Sequence, residues 1–245
     1  GPPRTLPSAA GRLLQREVEV LMGLRNKPSR PFVAVLGGAK VSDKLGVIDS
    51  LLQVVDALVI GGGMANTFLL AQGHGVGKSL AEPDRVEDAR RILAAAERHG
   101  VQVVLPVDVI VAKEVTRGTE YKTLPANKVP ASWHIVDVGK QSLEAMEAAL
   151  EPTKTVFWNG PLGVFEIPAF GAATREIAKL AAEKAEAGAT VVAAARRGCS
   201  ANQDRSQSGR EFRRRCMCRP GGVCGTDSSQ RSVGGRHCIC SANAG

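Results

Sequence analysis

Aromatic residues are scarce in this chain, since phenylalanine, tryptophan and tyrosine together make up 4% of its 245 residues. Hydrophobic residues reach 44%, so aliphatic side chains have to fill any core. Long apolar runs are also missing. None approaches the roughly 20 residues that a membrane-spanning helix requires. No secretory signal peptide is visible, and the chain begins at Gly1 rather than Met, as a fragment or a processed form would. These absences favour a cytoplasmic globular protein with no membrane partner.

Cysteine is absent before Cys199, and all six cysteines lie in the C-terminal segment. Charge is divided in the same way. From Arg196 onward there are ten arginines, no lysine and three acidic residues, a net charge of +7 out of +8 for the whole chain. Residues 1–195 therefore form a nearly neutral, cysteine-free body of the kind expected in a reducing compartment. We expect this body to be monomeric and to have no nucleic-acid partner.

Short apolar runs alternate with helical patterns along the body. The runs 31–36 and 56–60 are each followed by glycines, which is typical of buried strands at a ligand-facing edge. The alternation predicts an α/β fold, a three-layer parallel sheet with ligands at the carboxyl ends of its strands. Residues 114–133 are polar and predict a loop. Further strands are predicted within 101–111, 155–158 and 190–192, and helices within 13–24, 42–52, 64–72, 84–99, 142–150 and 174–187.

The stretch Gly37-Gly-Ala-Lys-Val-Ser-Asp-Lys44 places two glycines, and then two lysines four residues apart, at a strand-to-helix turn. Glycine lets a ligand approach the backbone, and the first turn of a helix offers free amides to an anion. Both lysines could meet a phosphate group. A tight turn with two solvated lysines explains the same residues, so this stretch alone leaves both interpretations open.

Two further stretches end predicted strands. Gly61-Gly-Gly63 could admit a flat or charged ligand, although a plain turn explains it equally well. Trp158-Asn-Gly-Pro-Leu-Gly-Val-Phe-Glu166 forms a turn with an amide and a carboxylate that could bond hydroxyl groups or a base, or that could be purely structural. The four histidines show no metal-ligand spacing, so no metal site is predicted from them.

Taken in order, four stretches resemble the C-terminal, nucleotide-binding domain of phosphoglycerate kinase. These stretches are RPFVAVLGGAKVSDKLGVIDSLL, DALVIGGGMANTFLLAQGHGVGKSL, VVLPVDVIVA and KTVFWNGPLGVFEIPAFGAAT. They run in family order with no large gap, and four long motifs in register are far more specific than any single glycine pattern. The resemblance implies a Rossmann-like nucleotide-binding domain over residues 1–192.

The resemblance implies transfer of the acyl phosphate of 1,3-bisphosphoglycerate to ADP bound with Mg²⁺, a glycolytic step that yields 3-phosphoglycerate and ATP. Such a transfer depends on positioning and charge neutralisation more than on covalent help. By resemblance, the catalytic Lys40 stabilises the transferring phosphoryl group, Lys44 binds nucleotide phosphates, and Asp43 orients the two lysines. Seven further residues are assigned to the nucleotide: Gly38, Ala39, Gly61 and Gly62 line its site, Asn159 and Pro161 border the adenosine, and Glu166 bonds the ribose hydroxyls.

Two parts of the family pattern are missing. The N-terminal domain, with its triose-phosphate site and catalytic arginine, has no counterpart beyond a connecting helix near residues 13–24. After Thr190-Val-Val192 the family continues with three glycines, an acidic residue and Ser or Thr, a loop that binds phosphate and supplies the Mg²⁺ carboxylate. This chain has Ala193-Ala-Ala-Arg-Arg197 instead. We therefore assign no metal ligand and expect phosphoglycerate to bind only if the missing domain is supplied.

Residues 193–245 form a tail outside the family pattern, which a shifted reading frame explains. If 192–197 is written as GTG GCG GCG GCG AGA CGN and translated from the last base of each codon, it becomes Gly-Gly-Gly-Glu-Thr. Residues 216–223, written as TGC ATG TGT CGA CCG GGG GGG GTN, likewise become His-Val-Ser-Thr-Gly-Gly-Gly, the last glycine-rich loop of the family. We interpret the tail as a frameshift product and predict that residues 196–245 are disordered, because a Gly-, Ser- and Arg-rich segment buries little apolar surface.

Three alternatives remain open. The cysteines Cys216, Cys218, Cys224, Cys238 and Cys240 could form a zinc site, although one-residue spacing is shorter than zinc pairs usually have. The arginines could bind nucleic acid through its phosphates. The body could also be a catalytically dead domain that only binds adenine nucleotide.

Overall fold

The computed structural model describes residues 11–196 and 237–242 as an α/β fold with one large and one small sheet. The large sheet has the order β3-β2-β1-β7-β8-β9, and its first five strands are parallel, so the predicted α/β fold is confirmed. No helix in this described part is long and apolar enough to cross a membrane.

The strands are β1 Phe32–Leu36, β2 Ala57–Ile60, β3 Gln102–Val104, β4 Asp108–Ala112, β5 Tyr121–Pro125, β6 His134–Val138, β7 Thr155–Asn159, β8 Thr190–Arg196 and β9 His237–Ala242. The helices are α1 Arg12–Asn26, α2 Leu45–Leu51, α3 Gly62–Ala71, α4 Val86–His99, α5 Lys140–Leu150 and α6 Ala172–Glu186.

Strands β1 and β2 lie inside the large sheet, and every residue in both is buried. Side chains along a strand point alternately to its two faces. Phe32, Ala34 and Leu36 therefore pack with α2, α3 and α4 on one face, whereas Val33 and Val35 pack with α5 and α6 on the other. Burying each large apolar side chain contributes about 1.5–3 kcal/mol, so the two helical layers stabilise the sheet from both sides.

Helix α4 shows how the local sequence sets an element. Its first turn carries Glu87 and Asp88, and its last turn carries Arg98 and His99, which complements the helix dipole at both ends. The Gly100 amide closes the helix by donating to the Ala96 carbonyl. The predicted helix at 84–99 is thus present with nearly the expected bounds.

The small sheet was only partly predicted. It is antiparallel with the order β5-β4-β6, and β5 lies inside residues 114–133, where the sequence predicts a loop. The residues of β5 are mostly exposed, so they show no alternation of polar and apolar side chains. Pairing with β4 holds β5 in place, and the Lys122 ammonium lies 4.5 Å from the centroid of the Trp133 ring.

The boundary proposed at residue 192 does not coincide with the end of a strand. Strand β8 continues to Arg196, and β9 pairs with it in antiparallel fashion from Val191–Ala242 to Arg196–His237. Strand β9 lies within the segment that was expected to be disordered, and it pairs with the backbone groups at the open edge of β8. The remaining tail residues, including Cys199, Cys216, Cys218 and Cys224, lie outside the described residues, and so does the rest of the disorder prediction.

Candidate functional site

Three loops meet at the carboxyl ends of β1, β2 and β7. The Gly37 amide donates to the Asn159 carbonyl and the Gly38 amide donates to the Pro161 carbonyl, both at 2.9 Å. The Gly62 amide donates to the Leu162 carbonyl at the same distance. Backbone bonds therefore hold the two predicted glycine stretches and the Trp158–Glu166 stretch against one another.

Glycine is required where these loops touch. Gly62 has a φ of +66°, and a Cβ there would lie 2.8 Å from the Gly38 nitrogen and oxygen and from the Pro161 oxygen. Gly160 has a φ of +94°, and its Cβ would lie 2.5 Å from the Gly37 oxygen. Contacts this close do not occur for real side chains, so glycine at these two positions lets the three loops pack backbone against backbone.

Lys44 points back toward this junction. Its ammonium donates to the Asn159 side-chain oxygen at 2.6 Å and to the Asn159 carbonyl at 3.2 Å. A charged donor on an amide oxygen forms a strong hydrogen bond, so this pair ties the turn after β1 to the end of β7. Lys40 and Asp43 lie on the same turn and are exposed.

A cleft of about 460 Å³ opens beside the junction. Five of the nine predicted site residues line it, namely Gly38, Ala39, Gly62, Pro161 and Glu166. Apolar side chains form much of its wall, among them Leu80, Val109, Val136, Val138, Leu162 and Val164. Of the other predicted residues, Gly61 packs against Leu162, Lys44 and Asn159 bond each other, and Lys40 follows Ala39 in the chain. A second depression of about 480 Å³ between α5 and α6 is lined mainly by glutamates and contains none of the predicted residues.

Several polar residues in the cleft were missed by the sequence analysis. Asn66, Lys78, His134 and Asp137 all line it. The last two lie on β6, which was not predicted. A signal was available, because the run 135–138 is apolar apart from one aspartate and is followed by glycine, the same pattern that marks β1 and β2.

Asp137 is a buried carboxylate at the start of α6. Burial raises the pKa of Asp137 to about 6, although hydrogen bonds from the Val138, Ala173 and Ala172 amides and the charge of Arg175 oppose the shift. Its Oδ1 accepts the Val138 amide at 3.0 Å and its Oδ2 accepts the Ala173 amide at 3.3 Å. Asp137 therefore joins β6 to the helix that follows the loop of Pro161 and Glu166.

The first amides of the turn after β1 are not free to bind an anion. The sequence predicts free amides there for an anion, but Glu82 already occupies the position. The Ser42 amide donates to Glu82 Oε2 at 3.0 Å, and the Ser42 hydroxyl donates to Oε1 at 2.6 Å. An internal carboxylate thus satisfies the first amides of this turn, and a ligand would meet the glycine backbone and the lysines instead.

Comparison with known proteins identifies the fold and its relatives. Residues 1–207 match the family model for phosphoglycerate kinase. The phosphoglycerate kinase of Chloroflexus aurantiacus is 48% identical over 187 residues, which are 76% of this chain and 47% of the relative. That of Pelotomaculum thermopropionicum is 51% identical over 178 residues, 73% of this chain and 45% of the relative.

Two solved structures agree with this result. The phosphoglycerate kinase of Coxiella burnetii superposes with a TM-score of 0.67 at 42% identity, covering 72% of this chain and 45% of its own. The phosphoglycerate kinase of Pyrococcus horikoshii superposes with a TM-score of 0.61 at 31% identity, covering 74% and 46%. The chain spans about half the length of the relatives it matches. Because the family model covers most of it, the chain belongs to the phosphoglycerate kinase family.

Proposed function

We propose that the chain binds ADP or ATP, with Mg²⁺, in the cleft beside the glycine junction, and that it supplies the nucleotide-binding part of phosphoryl transfer between 1,3-bisphosphoglycerate and ADP. The observation that carries the proposal is that the loops after β1, β2 and β7 are joined through their backbones next to Lys44. Glycine backbone and lysine side chains suit phosphate groups, and the apolar wall of the cleft suits a flat base. The carboxyl ends of parallel strands are also where ligands of such sheets bind.

Each part of the nucleotide has a matching part of the cleft. The phosphates would lie against Gly38 and Gly62, within reach of Lys44. The base would lie against the apolar wall that includes Val138 and Leu162. Glu166 is exposed at the lining of the cleft, where its carboxylate can accept hydrogen bonds from ribose hydroxyls.

Lys40 would act on the transferring phosphoryl group. Phosphoryl transfer gains most from neutralising the charge on the phosphoryl oxygens, and Lys40 is an exposed cation at the rim of the junction. Bound Mg²⁺ would supply the same neutralisation between the nucleotide phosphates. Nucleotide phosphates and water are the ligands that Mg²⁺ commonly keeps, and they would hold the ion here.

Nucleotide binding and catalytic turnover require different parts of the molecule. The glycine junction and the lysines support binding, whereas turnover also requires a site for phosphoglycerate. The chain matches 47% of the Chloroflexus relative, so the proposal for the chain by itself is nucleotide binding without turnover.

Calorimetric titration of ADP with Mg²⁺ tests the proposal. We expect Lys44→Ala to bind ADP about tenfold or more weakly, because a charge-assisted contact to phosphate is lost. Lys154→Ala is the matched control, since Lys154 is an exposed lysine just before β7, at the opposite edge of the sheet. Equal ADP affinities for the two variants would show that the phosphate site lies elsewhere.

A further inference from the structure

Glu82 lies outside the cleft lining, but it contacts Ser42, which lies between Lys40 and Lys44 in the chain. Its two carboxylate oxygens accept the amide and the hydroxyl of Ser42, at 3.0 and 2.6 Å. The turn Ser42–Lys44 has no capping side chain of its own. Glu82 therefore caps it from a segment 40 residues away in sequence, and the cap fixes where the turn begins.

The backbone of Glu82 is anchored in turn. Its amide donates to the Thr67 hydroxyl at 3.1 Å, and Thr67 is a buried residue of α3. Hydrogen bonds thus connect Thr67 of α3, Glu82 and Ser42 of the turn. Helix α3 begins with Gly62 and the turn ends with Lys44, and both of these residues lie at the junction.

The charge of Glu82 is also set by the turn. Burial raises the pKa of Glu82, but hydrogen bonds from Ser42 and Val41 and the charge of Lys40 outweigh it and lower the pKa overall. The carboxylate is therefore ionised at neutral pH and acts only as an acceptor. It places a negative charge at the first amides of the turn, where an outside anion would otherwise bind.

We propose that Glu82 is a positioning residue for the phosphate end of the nucleotide: it fixes the turn against α3 so that Lys40 and Lys44 face one ligand, and it keeps that ligand off the first amides of the turn. This proposal rests on the proposed nucleotide site. Glu82 itself would not touch the nucleotide, so its effect should depend on whether the ligand has phosphates.

Parallel titrations of ADP and adenosine separate positioning from general damage. We expect Glu82→Ala to weaken ADP binding about tenfold, since a charged cap is removed, and to change adenosine binding less than about twofold. Glu82→Gln keeps an acceptor for Ser42 and should recover part of the ADP affinity. Glu97→Ala, which removes an exposed glutamate of α4, is the matched control and should bind both ligands as the wild type does. Equal losses for ADP and adenosine in Glu82→Ala, or no loss for ADP, would overturn the positioning role.

Hydrogen exchange at the amides of Val41 and Ser42 provides a second measurement that needs no ligand. We expect Glu82→Ala to lose protection at these two amides while the protection of β1 stays unchanged. If the wild type binds no ADP, the nucleotide proposal fails, and the exchange rates still decide whether Glu82 holds the turn. Unchanged protection in Glu82→Ala would overturn the inference even if ADP binds.

Discussion

Asp137 is a carboxylate that the fold keeps at a cost in free energy. Its residue is 1% exposed, and burial raises its pKa to about 6 from 3.8. Below pH 3.8 the carboxyl is protonated in both the folded and the unfolded chain. As the pH rises, the unfolded chain releases the proton first, so this group's contribution to the free energy of unfolding falls until the pH passes about 6.

We expect Asp137→Asn to remove this pH dependence. The free energy of unfolding of the wild type, taken relative to the variant, should fall by about 2 kcal/mol between about pH 4 and about pH 7. Urea unfolding of both proteins across this range measures the difference. Asp84→Asn, which changes an exposed aspartate, is the control, and identical pH profiles for the two variants would contradict the assignment to Asp137.

Site residues that lie close to the end of an apolar run were easier to predict than residues whose partners are remote in sequence. Gly38 and Gly62 each lie two residues after a buried apolar run, and both lie where the three loops meet. Glu82 and Asp137 act through partners that are remote in sequence, because Glu82 bonds a turn 40 residues away and Asp137 bonds the start of a helix 36 residues away. No local pattern marks such pairs, so only the tertiary structure shows them.

At the scale of elements, the fully buried strands could be predicted, because burial gives a continuous apolar run in the sequence. Strands β1 and β2 are fully buried and read as continuous apolar runs that end in glycine. Strand β5 is mostly exposed and forms because β4 offers a partner, so its sequence carries no periodic signal. Strand β5 was missed for this reason, whereas β6, which carries the cleft residues His134 and Asp137, was missed although its run 135–138 gives a signal.

Strand β9 provides a prediction at this scale. Adjacent residues of a strand direct their amides to opposite sides, so one of Cys238 and Ile239 donates toward β8 and the other points away. Proline lacks that amide, and we therefore expect Cys238→Pro and Ile239→Pro to differ. The more damaging variant should lower the hydrogen-exchange protection of β8 and increase light scattering, since the edge of β8 becomes open.

The two proline variants serve as controls for each other. Both carry the same residue in the same strand, and they differ only in which amide is removed. If both leave the exchange of β8 and the light scattering unchanged, then β9 does not close this edge of the sheet in solution.

At the scale of the whole molecule, the chain matches about half of each relative, and the matched half contains the proposed nucleotide site. Strand β8 runs on to Arg196 at the point where the family resemblance implies three glycines and an acidic residue. A strand in this position leaves no loop to hold phosphate or to direct a carboxylate toward Mg²⁺. This difference at β8 separates the proposed binding from turnover in this chain.

We expect the chain alone to show no detectable phosphoglycerate kinase turnover in a coupled assay with 3-phosphoglycerate, ATP and Mg²⁺.

Replacing 193–197 with Gly-Gly-Gly-Glu-Thr should restore the loop that the shifted reading frame encodes. This variant should bind ADP more tightly in the presence of Mg²⁺ than the original chain, because a phosphate loop and a carboxylate return, and it should still lack turnover, because no site for phosphoglycerate is added. Turnover of either protein near the ~10 s⁻¹ of an ordinary enzyme would contradict the separation of binding from catalysis. Unchanged ADP affinity in the variant would instead contradict a phosphate-binding role for the loop at 193–197.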